Sequence, residues 1–368
     1  MKVGLLITSI GNFGQKGFYN SQEIGLAKEL DKIFDEVIIY KLITKDKKFI
    51  SDKVVGCNHT TINFIPSKHS GINGFLDFNT LDNTIDALVY FSDTQLMVPK
   101  VYKWCKKNGI TLIPYIGVVE SHSESKIRKV IINALFKRNV SVYKKCTCMV
   151  KNPQVHKVLK EQKVKNCRIG PVGLDLSIMK TKYAGKSVAK LKVKWGFESS
   201  DKVLLFIGRL VHEKQPLKLL EIFEQIYKKD ITFKLLIIGT GYLKHEIKRA
   251  VLEKNLSDSV KIIEKVPNTE IWELYRISNA FINLNKQEIF GMAILEAMYY
   301  ECKVVAWEAP GPNYIIENGI SGILCKSDKD LVKGVLTHYE NIGRAAHNRV
   351  IDEFTWAKTA KVIEGIIN

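Results

Sequence analysis

Short apolar runs alternate with amphipathic helical stretches along almost all of this chain, and no other feature limits its fold as strongly. Strands that repeat in one direction need long crossover connections, and helices lying on the sheet face supply them. In the first half the pattern predicts strands near residues 2–8, 37–43, 60–65, 86–91, 110–116, 147–150 and 166–169. Helices are predicted between them, near 21–34, 94–107, 123–138 and 153–162. The first helix places Ile24, Ala27, Leu30 and Phe34 on one face, and Asn20 with Glu23 has the spacing of a capping box. Residues 44–82 are the least regular and read as long loops. The expected class is α/β, with parallel sheets covered on both faces.

The pattern pauses once. Gly170-Pro171-Val172-Gly173-Leu174-Asp175 closes the first run, and a polar stretch rich in Lys, Ser and Gly continues to about residue 201. Strands resume at Val203-Leu204-Leu205-Phe206-Ile207-Gly208 and near 232–238, 260–263, 280–284, 303–307 and 322–325. Two doubly wound domains of similar size, facing each other, fit this length: 1–172 and 173–350. Such sheets bind ligands outside the carboxyl ends of their strands, so the chemistry is sought in residues just after strands.

Composition narrows the partners. A chain of 368 residues, 46% of them hydrophobic, can bury two cores. The segment Met1 to Thr8 reads as a buried strand and not as a signal peptide, because a glycine-rich turn follows it. No apolar stretch reaches the roughly 20 residues that a bilayer span requires, and a cytoplasmic protein is expected. The seven cysteines, with Cys146 and Cys148 one residue apart, fit reduced buried thiols better than a disulfide framework or a metal site. Net charge is +18, unevenly spread: residues 1–170 hold 27 Lys and Arg against 14 Asp and Glu, and the remainder 29 against 24. An excess of that kind favours anionic partners, whether nucleic acid, a membrane surface or phosphorylated substrates.

Several nucleotide signatures fail. Gly11, Gly14 and Gly17 lack the G-x-G-x-x-G spacing, and Tyr40-Lys41 stands where a dinucleotide site needs an acid. Gly185-Lys186-Ser187 resembles the end of a P-loop, but Lys180 replaces its first glycine. The eight histidines form no metal-ligand motif. The second half is more informative. In Gly208-Arg209-Leu210-Val211-His212-Glu213-Lys214 two cations follow a strand, Arg209 as a fork and Lys214 as a point charge, and such a pair suits a diphosphate. A solvated loop is the competing account of that segment alone. Glu288 and Glu296 flank the predicted N-terminus of a helix, where Phe290 to Ala293 expose free amides at the positive end of the dipole.

From Gly208 to about Cys325 the chain resembles the nucleotide-binding domain of family-4 retaining glycosyltransferases. The resemblance rests on Gly208-Arg209-Leu210 with Glu213-Lys214, on Gly239-Thr240-Gly241, on Glu288 and Glu296 with seven residues between, and on Gly319 with Gly322. It implies a GT-B fold of two Rossmann-like domains facing a central cleft. Arg209 and Lys214 would hold the donor diphosphate, with the amides of Phe290, Gly291 and Met292 on its distal phosphate. Glu288 would contact the transferred sugar, Glu296 the ribose, and the loop at Lys265 and Val266 the base. Gly239 and Gly241 would form the turn beside the donor. Ile289 replaces the family's usual glycine or serine, and Tyr314 an acid common in many members.

The first half matches less closely. Lys16-Gly17 occupies the family's glycine-rich loop with one glycine replaced by lysine, and His122 matches a histidine near the transferred sugar. Ser121 and Glu124 can cap a helix there, and the dipole at its first turn would keep that imidazole neutral near pH 7. Phe354-Thr355-Trp356 and the helix to Asn368 resemble the family's C-terminal segment, 351–368, which crosses back to the first domain. In the basic stretch from Lys126 to Lys145, Ile127, Val130, Ile131, Ala134 and Leu135 form one helical stripe beside Lys126, Arg128, Lys129, Lys137 and Arg138. The stripe either packs into a core or rests on anionic lipid, as basic first domains of the family often do; the lipid reading is favoured.

The expected activity is retaining transfer of a hexosyl-type sugar from a nucleotide-diphosphate donor, UDP-linked, to a glycan-precursor or lipid-linked acceptor. No cofactor and no metal is expected. The alternatives are a GT-B nucleotide-sugar isomerase and a basic nucleic-acid-binding protein. The second needs a recognisable module or aromatics interleaved on the basic face, and neither is found.

Overall fold

A computed structural model describes residues 1–10, 22–119, 126–179 and 187–368. By its internal contacts the chain divides into two units, Met1–Asp175 with Thr355–Asn368, and Leu176–Phe354.

In the first unit the strands are β1 (Lys2–Ile7), β2 (Glu36–Thr44), β3 (Ile50–Lys53), β4 (Thr60–Ser67), β5 (His69–Ser70), β6 (Asn73–Gly74), β7 (Ala87–Phe91), β8 (Thr111–Ile116), β9 (Cys148–Val150) and β10 (Cys167–Ile169). Eight of them form one sheet in the order β10-β9-β8-β7-β1-β2-β4-β3. All its pairs are parallel except the edge pair β3–β4. The helices are α1 (Gln22–Leu30), α2 (Val98–Lys107), α3 (Lys126–Tyr143) and α4 (Pro153–Glu161). Val3, Leu5, Val37, Ile39, Leu88 and Val89 are wholly buried or nearly so, as expected of parallel strands covered on both faces.

The second unit holds α5 (Val188–Lys194), β11 (Lys202–Ile207), α6 (Pro216–Lys229), β12 (Phe233–Ile238), α7 (Lys244–Glu253), β13 (Val260–Ile263), α8 (Ile271–Ile277) and β14 (Ser278–Asn283). It continues with α9 (Met292–Tyr299), β15 (Val304–Trp307), α10 (Pro310–Ile315), β16 (Ile323–Cys325), α11 (Asp328–Leu336) and α12 (Ile342–Glu353). Its sheet is fully parallel, in the order β13-β12-β11-β14-β15-β16. That is the doubly wound 3-2-1-4-5-6 order, with its switch point between β11 and β14.

The last helix, α13 (Trp356–Ile367), packs on α1 within the first unit. Glycines permit this contact. A Cβ on Gly25 would stand 2.4 Å from the Trp356 ring nitrogen, and one on Gly173 would stand 2.1 Å from the Trp356 amide.

Two expectations need correction, and one open alternative is decided. Residues 44–82 are not merely loops, because Ile50–Lys53 pairs antiparallel with β4 as an edge strand. Ile24 is only half-buried, while Glu23 and Leu26 are buried instead; Glu23 is there to meet Lys41 at 2.5 Å, a pairing that no apolar periodicity discloses. On α3 the apolar stripe does not enter the core. Ile127, Val130 and Ile131 are 74%, 68% and 53% exposed, and Phe136, Val140 and Tyr143 are buried in their place.

Candidate active site

The described part of the site is built at the switch point of the second sheet. After β11 the chain runs through Gly208 to Val211 into a 3-10 turn, His212–Lys214. Gln215 then takes a left-handed conformation, φ 53°, just before α6. Its side-chain amide donates to the Leu284 carbonyl at 2.7 Å, tying the loop after β11 to the loop after β14. Lys214 is thereby set against Glu288, with Nζ 2.6 Å from Oε2 and each side chain less than one-fifth exposed.

Two buried asparagines complete this cluster. Asn285 Nδ2 lies 3.2 Å from Glu288 Oε2 and 3.3 Å from Glu213 Oε1, and Asn283 Nδ2 reaches Glu288 Oε2 at 3.5 Å. Their own oxygens accept from the Asn285 and Gln287 amides, which fixes both side chains. Asn283 and Asn285 were missed in the sequence. The available signal was a pair of asparagines directly after the apolar strand residues Ala280-Phe281-Ile282, where a packed strand end has no use for unpartnered amides. Arg209 is 61% exposed and stands 3.6 Å from Glu213, an ion pair worth little in water.

Helix α9 starts at Gly291, whose φ of 108° favours glycine, and no side chain caps it. The Ile294 amide donates to the Gly291 carbonyl, and the amides of Met292 and Ala293, which have no intrahelical partner, suit an anion. Gly311 holds the same loop from the other side: its amide donates to the Glu288 carbonyl at 2.7 Å, and a Cβ there would lie 2.1 Å from the Phe290 carbonyl oxygen. The Phe290 ring is buried edge-on against Tyr314 and Phe354. Tyr314, at the position where an acid was expected, thus supports the 288–291 loop from behind. Met292 is half-buried in the first turn of the helix.

Gly239 and Gly241 are explained by close approach of two loops. Leu210 N donates to the Thr240 carbonyl and Leu243 N to the Leu210 carbonyl. A Cβ would lie 1.9 Å from the Gly208 oxygen at position 239, and 2.3 Å from the Leu210 oxygen at position 241. Both glycines therefore set the height of the loop that carries Arg209. After β13, Lys265 is exposed and Val266 buried.

Glu296 lies two turns into α9, half-buried, and accepts from the Tyr275 hydroxyl at 2.9 Å. Desolvation pushes its pKa up to about 7, against the opposing effect of that hydrogen bond. A desolvated carboxylate with a single donor retains acceptor capacity for further hydroxyls. The raised pKa also has a consequence for stability. Below about pH 4.5 the group is neutral in folded and unfolded chains alike; as pH rises through 7 the folded chain must bury a charge. Glu296→Gln should therefore melt higher than the parent at pH 8, by the equivalent of roughly 2 kcal/mol, and match it near pH 4.5. Thermal melts across that range check the sign.

Lys16, Gly17 and His122 lie outside the described residues, as do Asn20, Ser121 and Glu124. Among the described residues no group of three or more His, Cys, Asp or Glu is placed to hold a metal ion.

Comparison with known proteins follows the same outline. Residues 187–349 match the model of the family "Glycosyl transferases group 1". Alpha-monoglucosyldiacylglycerol synthase of Acholeplasma laidlawii is 26% identical over 192 residues, 51% of this chain and 48% of that protein. N-acetyl-alpha-D-glucosaminyl L-malate synthase of Bacillus anthracis is 26% identical over 193 residues, half of each chain. The chain thus spans about half the length of these relatives. Over nearly its whole length it resembles sucrose-phosphate synthase of Thermosynechococcus elongatus, with a TM-score of 0.75 at 16% identity, covering 99% of this chain and 97% of that one. It likewise resembles Anabaena HepE in complex with UDP and glucose, with a TM-score of 0.71 at 14% identity and 99% and 98% covered. The fold is GT-B. The match to the glycosyl transferases of group 1 thus falls on the second unit, in which Lys214 meets Glu288 at the switch point.

Proposed function

We propose that this protein is a retaining glycosyltransferase that moves a hexosyl-type sugar from a UDP-linked donor to a lipid-linked or glycan-precursor acceptor at an anionic membrane surface. The observation that carries this reading is the Lys214–Glu288 pair beside the uncapped start of α9. An ammonium, a sugar-directed carboxylate and free helix amides there suit a diphosphate whose terminal group carries a sugar. The exposed Arg209 is free to swing from Glu213 onto the phosphates. HepE, whose structure holds UDP and glucose, favours uridine, and the two glucosyl- and glucosaminyl-transferring relatives favour a hexosyl group. By the family resemblance, His122 would lie near the transferred sugar, Lys16-Gly17 in the acceptor or phosphate loop, and Lys265 with Val266 beside the base.

The cations and the helix end supply the charge that a leaving diphosphate needs, so transfer should proceed in EDTA. The membrane element rests on α3. Its exposed Ile127, Val130 and Ile131, with exposed Lys129 and Lys137 on the same helix, form an apolar face beside cations; such a surface gains from both lipid burial and anionic headgroups. Among the described residues no helix is long and apolar enough to cross a membrane.

One experiment tests both parts. Protein, UDP-sugars and vesicles containing diacylglycerol are incubated in EDTA, pelleted, and analysed for lipid-linked sugar. Product should form, and protein should pellet with anionic vesicles far more than with neutral ones, less so at high salt. Equal pelleting with neutral vesicles overturns the electrostatic surface. A donor converted to an isomer without any acceptor overturns the transferase assignment.

A further inference from the structure

Four of the seven cysteines gather at one edge of the first sheet: Cys105 on α2, Cys146 just after α3, Cys148 on β9 and Cys167 on β10. None is used by the site described above. Cys148 and Cys167 are direct register partners on adjacent parallel strands. Strands so paired lie about 4.8 Å apart with partner side chains on the same face, within the Cα separation of about 4.4–6.8 Å that a disulfide spans. Both thiols are free.

The two sulfurs have unequal surroundings. Cys148 is wholly buried, with Sγ 3.5 Å from the Tyr143 carbonyl. Cys167 is half-buried and lines an open cavity of about 500 Å³ with Thr147, Lys165, Asn166 and Arg168. A hydrogen bond from Cys148 lowers the Cys167 pKa against the effect of burial, and the same contact, with burial, raises that of Cys148. An accessible, acidic thiol backed by a protonated one is the arrangement of an attacking and a resolving cysteine.

We propose that Cys148 and Cys167 form a dithiol that hydroperoxides convert to an intrachain disulfide, fastening β10 to β9. The Cys167 thiolate attacks the peroxide, the O–O bond breaks, and a sulfenic acid and hydroxide form. Cys148 then displaces hydroxide from that sulfur, and its proton leaves with it as water. Two thiols and one hydrogen peroxide give one disulfide and two waters. The cross-link holds the strand that runs directly into Gly170-Pro171-Val172-Gly173, on which α13 is seated through Trp356 and Thr359.

Reduced protein is treated with hydrogen peroxide, denatured in N-ethylmaleimide and digested with trypsin without reduction. Residues 146–151 should be found joined to residues 166–168, in a chain lighter by two hydrogens and restored by dithiothreitol. Because Cys146 and Cys148 share that peptide, Cys146→Ser protein identifies the sulfur, and the link should persist in it. In Cys167→Ser and Cys167→Ala, both changed at the half-exposed position, the link should vanish, together with the rise in melting temperature that oxidation gives the parent. Labelling of both Cys148 and Cys167 after peroxide, a link through Cys146 or Cys105, or a link between two molecules would overturn the proposal.

Discussion

Arg209→Ala and Lys214→Ala should each lower sugar transfer by about 100-fold or more at saturating donor, the usual loss when a preorganised charge stabiliser is removed. The two should differ in other respects. Arg209 is mostly exposed and loosely paired with Glu213, so its loss leaves the melting temperature unchanged. Lys214 is largely buried against Glu288, and among the described residues its loss leaves that carboxylate with Asn283 and Asn285 as partners. Lys214→Ala should therefore melt somewhat lower, and Glu288→Gln in the same chain should restore melting without restoring turnover. Steady-state rates and melts on the three variants decide it. Parent-like turnover in either single variant removes the phosphate site from this loop.

Gly239→Ala should be the most disruptive single change in the second unit. A Cβ there would sit 1.9 Å from the Gly208 carbonyl oxygen, and both partners are backbone with nowhere to turn. Separating the two loops breaks the Leu210–Thr240 and Leu243–Leu210 hydrogen bonds and costs about 3 kcal/mol or more. Arg209 moves with its loop, so donor binding fails as well. Gly319→Ala is the control: Gly319 also has a positive φ, 79°, but a Cβ there meets nothing within 4 Å. It should cost about 1 kcal/mol and leave transfer intact. Denaturant melts of both variants separate close approach from backbone conformation.

Strand positions and the doubly wound character were legible because buried parallel strands write continuous apolar runs, as in Val203 to Ile207. The pairing of Lys214 with Glu288 was not, since 74 residues separate them and only the sheet order 3-2-1-4-5-6 brings the ends of β11 and β14 together. Glu296 looked the same in sequence whether solvated or desolvated; the packing of α9 beside α8 buries it and makes the difference. On α3 periodicity showed the stripe Ile127-Val130-Ile131 but not which way it faced. A helix carries two candidate apolar faces when Phe136, Val140 and Tyr143 follow, and only packing against the sheet chooses between them. Glu23 was assigned to capping because its distant partner Lys41 could not be seen from local spacing.

We propose that the leaving diphosphate, held by Arg209, Lys214 and the start of α9, takes the acceptor's proton on the face it leaves. An inverting reaction would instead need a general base opposite that face. In this proposal Glu288 positions the sugar and forms no bond to it, so Glu288→Gln should slow transfer and accumulate no glycosyl-enzyme. The direct measurement is the NMR coupling of the anomeric proton in the first-formed product of an α-linked UDP-sugar, made with EDTA present. The expected product carries an α linkage; a β linkage would contradict retention.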